Sequence, residues 1–200
     1  MTPRRGPVRP EQTRDRLFEA AVAEFAAKGF HGTTTRDIAS AAGMSPAALY
    51  VHHRSKEEIL YRISRRGHDD TLALVRAGRA SSPDPVAQLR TVVRDFAVHH
   101  ARGHTTARIV NYELAALDVP HRTEIQELRD AIDAEVQELV RSGVDAGVFS
   151  CRDPRVAAAA LLSLGIDISR WYEDEGGWSP DELGDAYADI ALRIVGAEPA

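Results

Sequence analysis

The chain has 200 residues, 44% of them hydrophobic and 28% charged, with a net charge of −5. That length allows one large domain or two small ones, and the apolar content with mixed charge excludes a disordered chain. The single cysteine, Cys151, excludes an intrachain disulfide and a cysteine-built zinc site, and fits a reducing compartment. The charge is uneven: residues 1–66 carry +5 and residues 67–200 carry −10. A basic first third suggests contact with a polyanion, although an ordinary fluctuation in charge would give the same figures.

The pattern is helical nearly throughout, without strand-like alternation. Met1 to Pro10 is basic and proline-rich but lacks the apolar core of a signal peptide. A first helix is expected from about Pro10 to Lys28, with Leu17, Ala21, Val22 and Phe25 as its apolar stripe and Gly29 as its stop. Thr34 can cap a second helix over 35–42, with Asp37 closing a capping box. Gly43 ends it, because a left-handed C-cap costs glycine little. Ser45 and Pro46 suit the N-cap and first position of a third helix reaching about His52. Ser55 and Glu58 open a fourth with a second capping box, and this helix carries Ile59, Leu60, Ile63, Leu72 and Val75 to about Gly78.

Beyond the Ser81–Pro85 loop, helices are expected near 84–101, 105–117, 121–147, 154–174 and 180–196. Ile125, Leu128, Ile132, Val136 and Leu139 recur at three- and four-residue steps, which buries one side of a long helix. Leu161, Leu164, Ile168, Trp171 and Tyr172 do the same on the next. The fold class is therefore all-α, with about nine helices. The longest apolar stretch, Val156–Ile166, is interrupted by Ser163 and Gly165. It falls far short of the ~18–20 residues of a membrane span, so the expected location is the cytoplasm.

Thr33 to Tyr50 reads as a helix, a tight glycine turn and a second short helix. Ile38 and Leu49 can face each other, and Ala39, Ala42 and Ala48 allow close crossing. The second helix keeps a free N-terminus, a favoured place for phosphate. A helix entering the major groove of DNA follows from that arrangement.

The same stretch resembles the TetR-family DNA-binding domain. The resemblance rests on Phe25 through Gly29, Thr33-Thr34, Ile38-Ala39, Ala42-Gly43-Met44-Ser45, Leu49-Tyr50-Val51-His52 and Ser55-Lys56-Glu57-Glu58-Ile59, in order and at the family's spacing. It covers about residues 13–64. His53 stands where the family usually has Phe, which implies a weaker hydrophobic contact under the recognition helix. The resemblance implies a basic arm over 1–10, a helix-turn-helix domain over 11–66 and a ligand-binding and dimerisation domain over 67–200. It implies phosphate contacts by Thr34, Thr35, Tyr50, His52 and Lys56, and base-edge positions for Arg36, Pro46 and Ala47, with Ser45 at the start of the reading helix. Tyr50 could instead be a core aromatic, and Arg4, Arg5 and Arg9 could be a solvated tail rather than a DNA-tracking arm.

The partners implied are double-stranded operator DNA, a second copy of the chain and a small-molecule inducer, with no membrane and no cofactor. Phe96, His100, Tyr112 and Trp171 are the candidate walls of a site for an apolar or acyl-CoA-like inducer, being aromatic or polar residues on apolar faces. The sequence after Asp167 faintly resembles TetR-type regulators of acyl-CoA and lipid catabolism. The last two helices would form the dimer seam through Ala157, Leu161, Leu164, Leu183, Tyr187, Ile190 and Ile194. No metal site is expected: His52-His53 and His99-His100 are adjacent and point apart, and Gly103 interrupts His100 and His104. A small all-α enzyme and a DNA-binding architectural protein without ligand control stand as alternatives. The enzyme lacks a phosphate-cradling loop, a nucleophile elbow or a cysteine beside a base.

Overall fold

The computed structural model describes residues 10–197, with side chains from Asp15 onward other than that of His52. The arm expected at the N-terminus lies, but for Pro10, outside the described residues. Among the described residues the chain is all-α: α1 (Pro10–Gly32), α2 (Thr35–Ala41), α3 (Pro46–His52), α4 (Lys56–Ala80), α5 (Pro85–Arg102), α6 (His104–Tyr112), α7 (Val119–Asp145), α8 (Pro154–Trp171) and α9 (Pro180–Ile194), with one 3-10 turn at Leu114–Ala116.

The punctuation follows side-chain chemistry. Gly29 takes φ +71 inside α1, so the regular helix stops there and one further turn follows. Asp84, Asp118, Asp153 and Ser179 cap α5, α7, α8 and α9, each accepting from backbone N–H groups that the first turn leaves unpaired. Several expected boundaries move. Helix α6 stops at Tyr112 rather than continuing to 117, and α7 starts two residues early because Asp118 caps it and Pro120 is tolerated in its first turn. Helix α8 ends at Trp171 because Tyr172 turns extended (φ −69°, ψ 136°) and tucks its ring into the core.

Two main cores result. The first gathers Leu17, Ala21 and Phe25 of α1, Ile38 of α2, Leu49 of α3, and Ile59, Leu60 and Ile63 of α4. It also takes in Ile109 and Val110 of α6, Leu117, and Ile125 of α7, so the C-terminal part reaches into the N-terminal core. The second joins Leu72 and Val75 of α4 to Leu89, Val92 and Phe96 of α5, Ile132, Val136 and Leu139 of α7, Leu161 of α8 and Ala191 of α9. Helix α4 runs through both cores. Salt bridges from Arg76 and Arg79 to Glu135 fasten its far end to α7, and these also hold the Glu135 carboxyl below its usual pKa.

Candidate DNA-binding face and ligand cavity

Helices α2 and α3 form the helix-turn-helix. Gly43 makes the turn at φ +66, a conformation open to glycine without a Cβ penalty. Arg16 of α1 fastens the turn by donating from Nη2 to Ala42 O at 2.9 Å. Thr34 caps α2 in the expected box. Its hydroxyl and its N–H both donate to Asp37 Oδ2, at 2.6 and 2.8 Å, and Asp37 N donates back to Thr34 Oγ1. The hydroxyl and backbone donors of Thr34, with Lys28 nearby, lower the Asp37 pKa to about 2. Both Thr34 donors are therefore committed within the cap.

The exposed face lies just beyond that cap. The hydroxyls of Thr35 and Tyr50 meet at 3.1 Å and join α2 to α3 across the turn. Tyr50 is 53% exposed, so the ring is on the surface rather than in the core. Arg36 is exposed and has no hydrogen-bond or ion-pair partner among the described residues. Ser45 caps α3 by accepting from Ala48 N, and Pro46 and Ala47 are exposed beside it. Val51, which sequence reasoning passed over, is 81% exposed on the same helix. The sequence did hold a signal for it: Leu49 is the buried anchor of α3, so a residue two places on faces away. His52 lies outside the described side chains. His53 is buried with its ring 6.0 Å from that of Phe18, filling the place expected of a phenylalanine.

Lys56 points inward. Its ammonium donates to Phe30 O and Thr33 O at 2.8 Å and to His31 O at 3.4 Å, and sits 4.5 Å over the Phe30 ring. Its three N–H donors are directed at the carbonyls ending α1, so the expected phosphate contact gives way to an internal tie.

Two neighbouring cavities lie along α4. One, of about 280 Å³, lies between α4, α5, α6, α7 and α8, with Phe96, His100, Arg129, Ile132, Leu162 and Ile166 in its wall. The other, of about 670 Å³, lies between α1 and α4–α6, with Phe18, Val22, Ile63 and His99 in its wall. Thr71, His100, Val110 and Asn111 line both. Together they span the size range of small-molecule sites. Two of the four residues expected in such a site, Phe96 and His100, are there. Tyr112 and Trp171 are not, since each is the last residue of its helix and lies at the surface. Arg170 sits over the Tyr112 ring, and Trp171 meets Trp178 edge to face at 6.4 Å.

The outer faces of α8 and α9 also differ from expectation. Ala157, Leu161 and Leu183 are buried in the protomer's own core, and Tyr187 and Ile194 are half-buried against it. Leu164 and Ile190 face outward, together with Val156 and Trp178. Of the stripe expected to be buried on α8, Leu161, Ile168 and the following Tyr172 are buried while Leu164 and Trp171 are exposed, because both edges of the helix are apolar.

Residues 17–63 match the family model described as bacterial regulatory proteins, tetR family, and residues 82–195 match the tetracyclin repressor-like C-terminal domain. The chain belongs to the TetR family of transcriptional regulators. It is 31% identical over 181 residues to the HTH-type transcriptional repressor KstR2 of Rhodococcus jostii (strain RHA1), covering 90% of this chain and 89% of that one. Among solved structures it is similar to a bacterial regulatory protein in the tetR family from Rhodococcus RHA1, at 36% identity and TM-score 0.89, over 94% of this chain and 99% of that one. It is also similar to the ketosteroid transcriptional regulator KstR2 of Mycobacterium tuberculosis, at 25% identity and TM-score 0.84, over 98% of each chain. The TetR helix-turn-helix is thus α2–α3, and the cavities lie where the TetR C-terminal domain meets α4 and, for the larger one, α1.

Proposed function

We propose that the chain is a homodimeric repressor that binds a pseudo-palindromic operator and leaves it when a small, largely apolar molecule enters the cavities along α4. The observation that carries this reading is the exposed face of Thr35, Arg36, Ser45, Pro46, Ala47, Tyr50 and Val51 on a TetR helix-turn-helix. It offers hydroxyls for phosphates, one free guanidinium for guanine, and small or apolar groups for thymine methyls. Likeness to the repressor KstR2 supports the sign of the response. The acyl part of an acyl-CoA thioester meets the same description of the inducer.

The exposed large apolar side chains of Val156, Leu164, Trp178 and Ile190, on or beside α8 and α9, support the dimer, since a second copy would take them out of water. Two protomers would then place their reading helices one turn of DNA apart, about 34–36 Å. The test is a binding titration on the DNA upstream of the gene and on scrambled DNA. Wild-type protein binds the former more tightly, and Arg36→Ala costs about 1–3 kcal/mol per half-site there while leaving the scrambled DNA unaffected. Leu164→Asp with Ile190→Asp gives a folded monomer with weak operator binding. A wild-type monomer at micromolar concentration, or equal binding to both DNAs, refutes the reading.

A further inference from the structure

Of the three polar residues that line both cavities, Thr71 and His100 face them with lone pairs, while Asn111 donates one amide N–H to Ala107 O and accepts from Arg129 Nη1. Thr71 is buried and its hydroxyl donates to Gly67 O at 2.8 Å, so toward the cavities it offers only lone pairs. His100 is 3% exposed and lines both cavities. Its Nδ1 lies 2.9 Å from Phe96 O. A carbonyl oxygen can only accept, so Nδ1 carries the proton and Nε2 of the neutral ring carries a lone pair. Among the described residues nothing donates to that Nε2. His68 repeats the pattern, with Nδ1 at 2.8 Å from Ser64 O, and its Nε2 is approached by Arg129 Nη1 at 3.4 Å. Burial lowers both imidazole pKa values, that of His100 to about 4, so the rings are neutral acceptors at pH 7.

His100 Nε2 opens onto the cavities, and an apolar occupant that covered it without offering a donor would lose roughly 1–3 kcal/mol. The surroundings narrow what can meet that nitrogen. Phe96, Ile132, Leu162 and Ile166 wall one side, and Phe18, Val22 and Ile63 wall the other. A carbonyl or carboxylate oxygen placed against His100 Nε2 and Thr71 Oγ1 would set lone pairs against lone pairs. Carboxylates at the rims, Asp130 and Asp133 on one side and Asp15, Glu19 and Asp70 on the other, outnumber Arg129 and Arg66 and further disfavour an anionic group there.

We infer that the effector presents a hydrogen-bond donor, a hydroxyl or N–H on an otherwise apolar frame, to His100 Nε2 and Thr71 Oγ1 where the two cavities meet. The inference rests on the reading that these cavities hold the effector. An acyl group qualifies where it bears a hydroxyl, because a thioester carbonyl supplies no donor.

The experiment is a fluorescence titration of the full chain with 2-naphthol and 2-methoxynaphthalene, which share an apolar frame and differ in the donor. Wild-type protein prefers 2-naphthol about tenfold, the ~1.4 kcal/mol of one net hydrogen bond. His100→Leu keeps affinity for 2-methoxynaphthalene and brings the preference to within about twofold. Thr71→Val, close in shape, lowers the preference by a smaller factor. Equal affinities in the wild type would mean that solvent meets the acceptors, and would overturn the inference while leaving the cavity as a binding site. A tenfold preference that survives both substitutions would overturn it too, since the donor would be read elsewhere. Failure of both probes to bind the wild type would instead bring down the cavity reading itself, and the inference with it.

Discussion

Lys56 separates two roles that a sequence motif cannot distinguish. Replacing it with Met keeps most of the apolar stem and removes the ammonium. Two of its hydrogen bonds, to Phe30 O and Thr33 O, are short at 2.8 Å, and the third is long at 3.4 Å. Hydrogen bonds to a charged group contribute about 1.5–3 kcal/mol each when sealed from water. Lys56 is half-buried, and the freed carbonyls can turn toward solvent, so the lower end applies and is shared between two bonds. Loss of its position over the Phe30 ring adds about 0.5–1 kcal/mol. The expected destabilisation is about 2 kcal/mol, read as a lower urea midpoint at unchanged slope. The deciding assay is the salt dependence of operator binding. A lysine on a phosphate contributes about 0.9 to the slope of log affinity against log salt. A lysine folded onto carbonyls contributes nothing, so Lys56→Met should leave that slope unchanged. Unaltered stability together with a slope reduced by about one would refute the internal tie and restore the phosphate contact.

The cavity and its histidines carry two more predictions. A Cβ on Gly165 would lie 2.4 Å from Phe96 Cδ1. Gly165→Ala therefore forces that ring toward the cavity, with about 1–3 kcal/mol of overpacking set against up to about 1 kcal/mol of helix propensity. A net loss of stability near 1 kcal/mol in urea unfolding, with weaker binding of 2-methoxynaphthalene, is expected; a stabilised variant would refute the close contact. Burial lowers the pKa values of His68, His99 and His100, with Arg129 adding to the effect on His68. The unfolded chain then binds more protons than the folded one below about pH 6.5, so stability is present above that pH and is lost as pH falls toward 5. His100→Gln should flatten this dependence in urea midpoints measured from pH 7.5 to 5, and a wild-type midpoint that rises toward pH 5 would refute neutral buried rings.

Much of this molecule was legible because its local signals agree. Thr34 with Asp37, Gly43, and Ser45 with Pro46 each specify a backbone geometry by their own chemistry, so α2, the turn and α3 could be read residue by residue. The C-terminal half was legible as helices but not as surfaces. Its stripes are apolar on more than one side, and periodicity alone does not say whether Leu161 or Leu164 meets the protomer's own core. The ligand wall failed for a related reason. Tyr112 and Trp171 have the chemistry of site residues, but they stand at helix ends set by where Glu113 and Tyr172 leave the helix. Lys56 was misread because the motif records a residue type and a spacing, while the direction of the ammonium is set by carbonyls more than twenty residues away.

The tie between the cavities and the DNA-reading face does not run through α4 alone. Glu57, in the first turn of α4, accepts from His121 Nδ1 at 2.9 Å and from Asp118 N at 3.1 Å, both at the start of α7. Tyr61, one turn on, stacks on the His121 ring at 3.8 Å and donates to Glu124 at 2.5 Å. Arg65, a further turn on, pairs with the same Glu124 at 3.3 Å. Three successive turns of α4 are thus clasped by two of α7, and α7 continues into the cavity wall with Arg129 and Ile132. Only residues 53–55 separate α3 from α4, so movement of the α4 N-terminus is movement of the reading helix. A molecule that displaces α7 must carry the first turns of α4 with it or break the clasp. Partly exposed pairs of this kind contribute about 0–1 kcal/mol each. Two or three together match the ~1–3 kcal/mol by which effectors change affinity, so the clasp is strong enough to transmit the proposed response and weak enough for a small ligand to overcome.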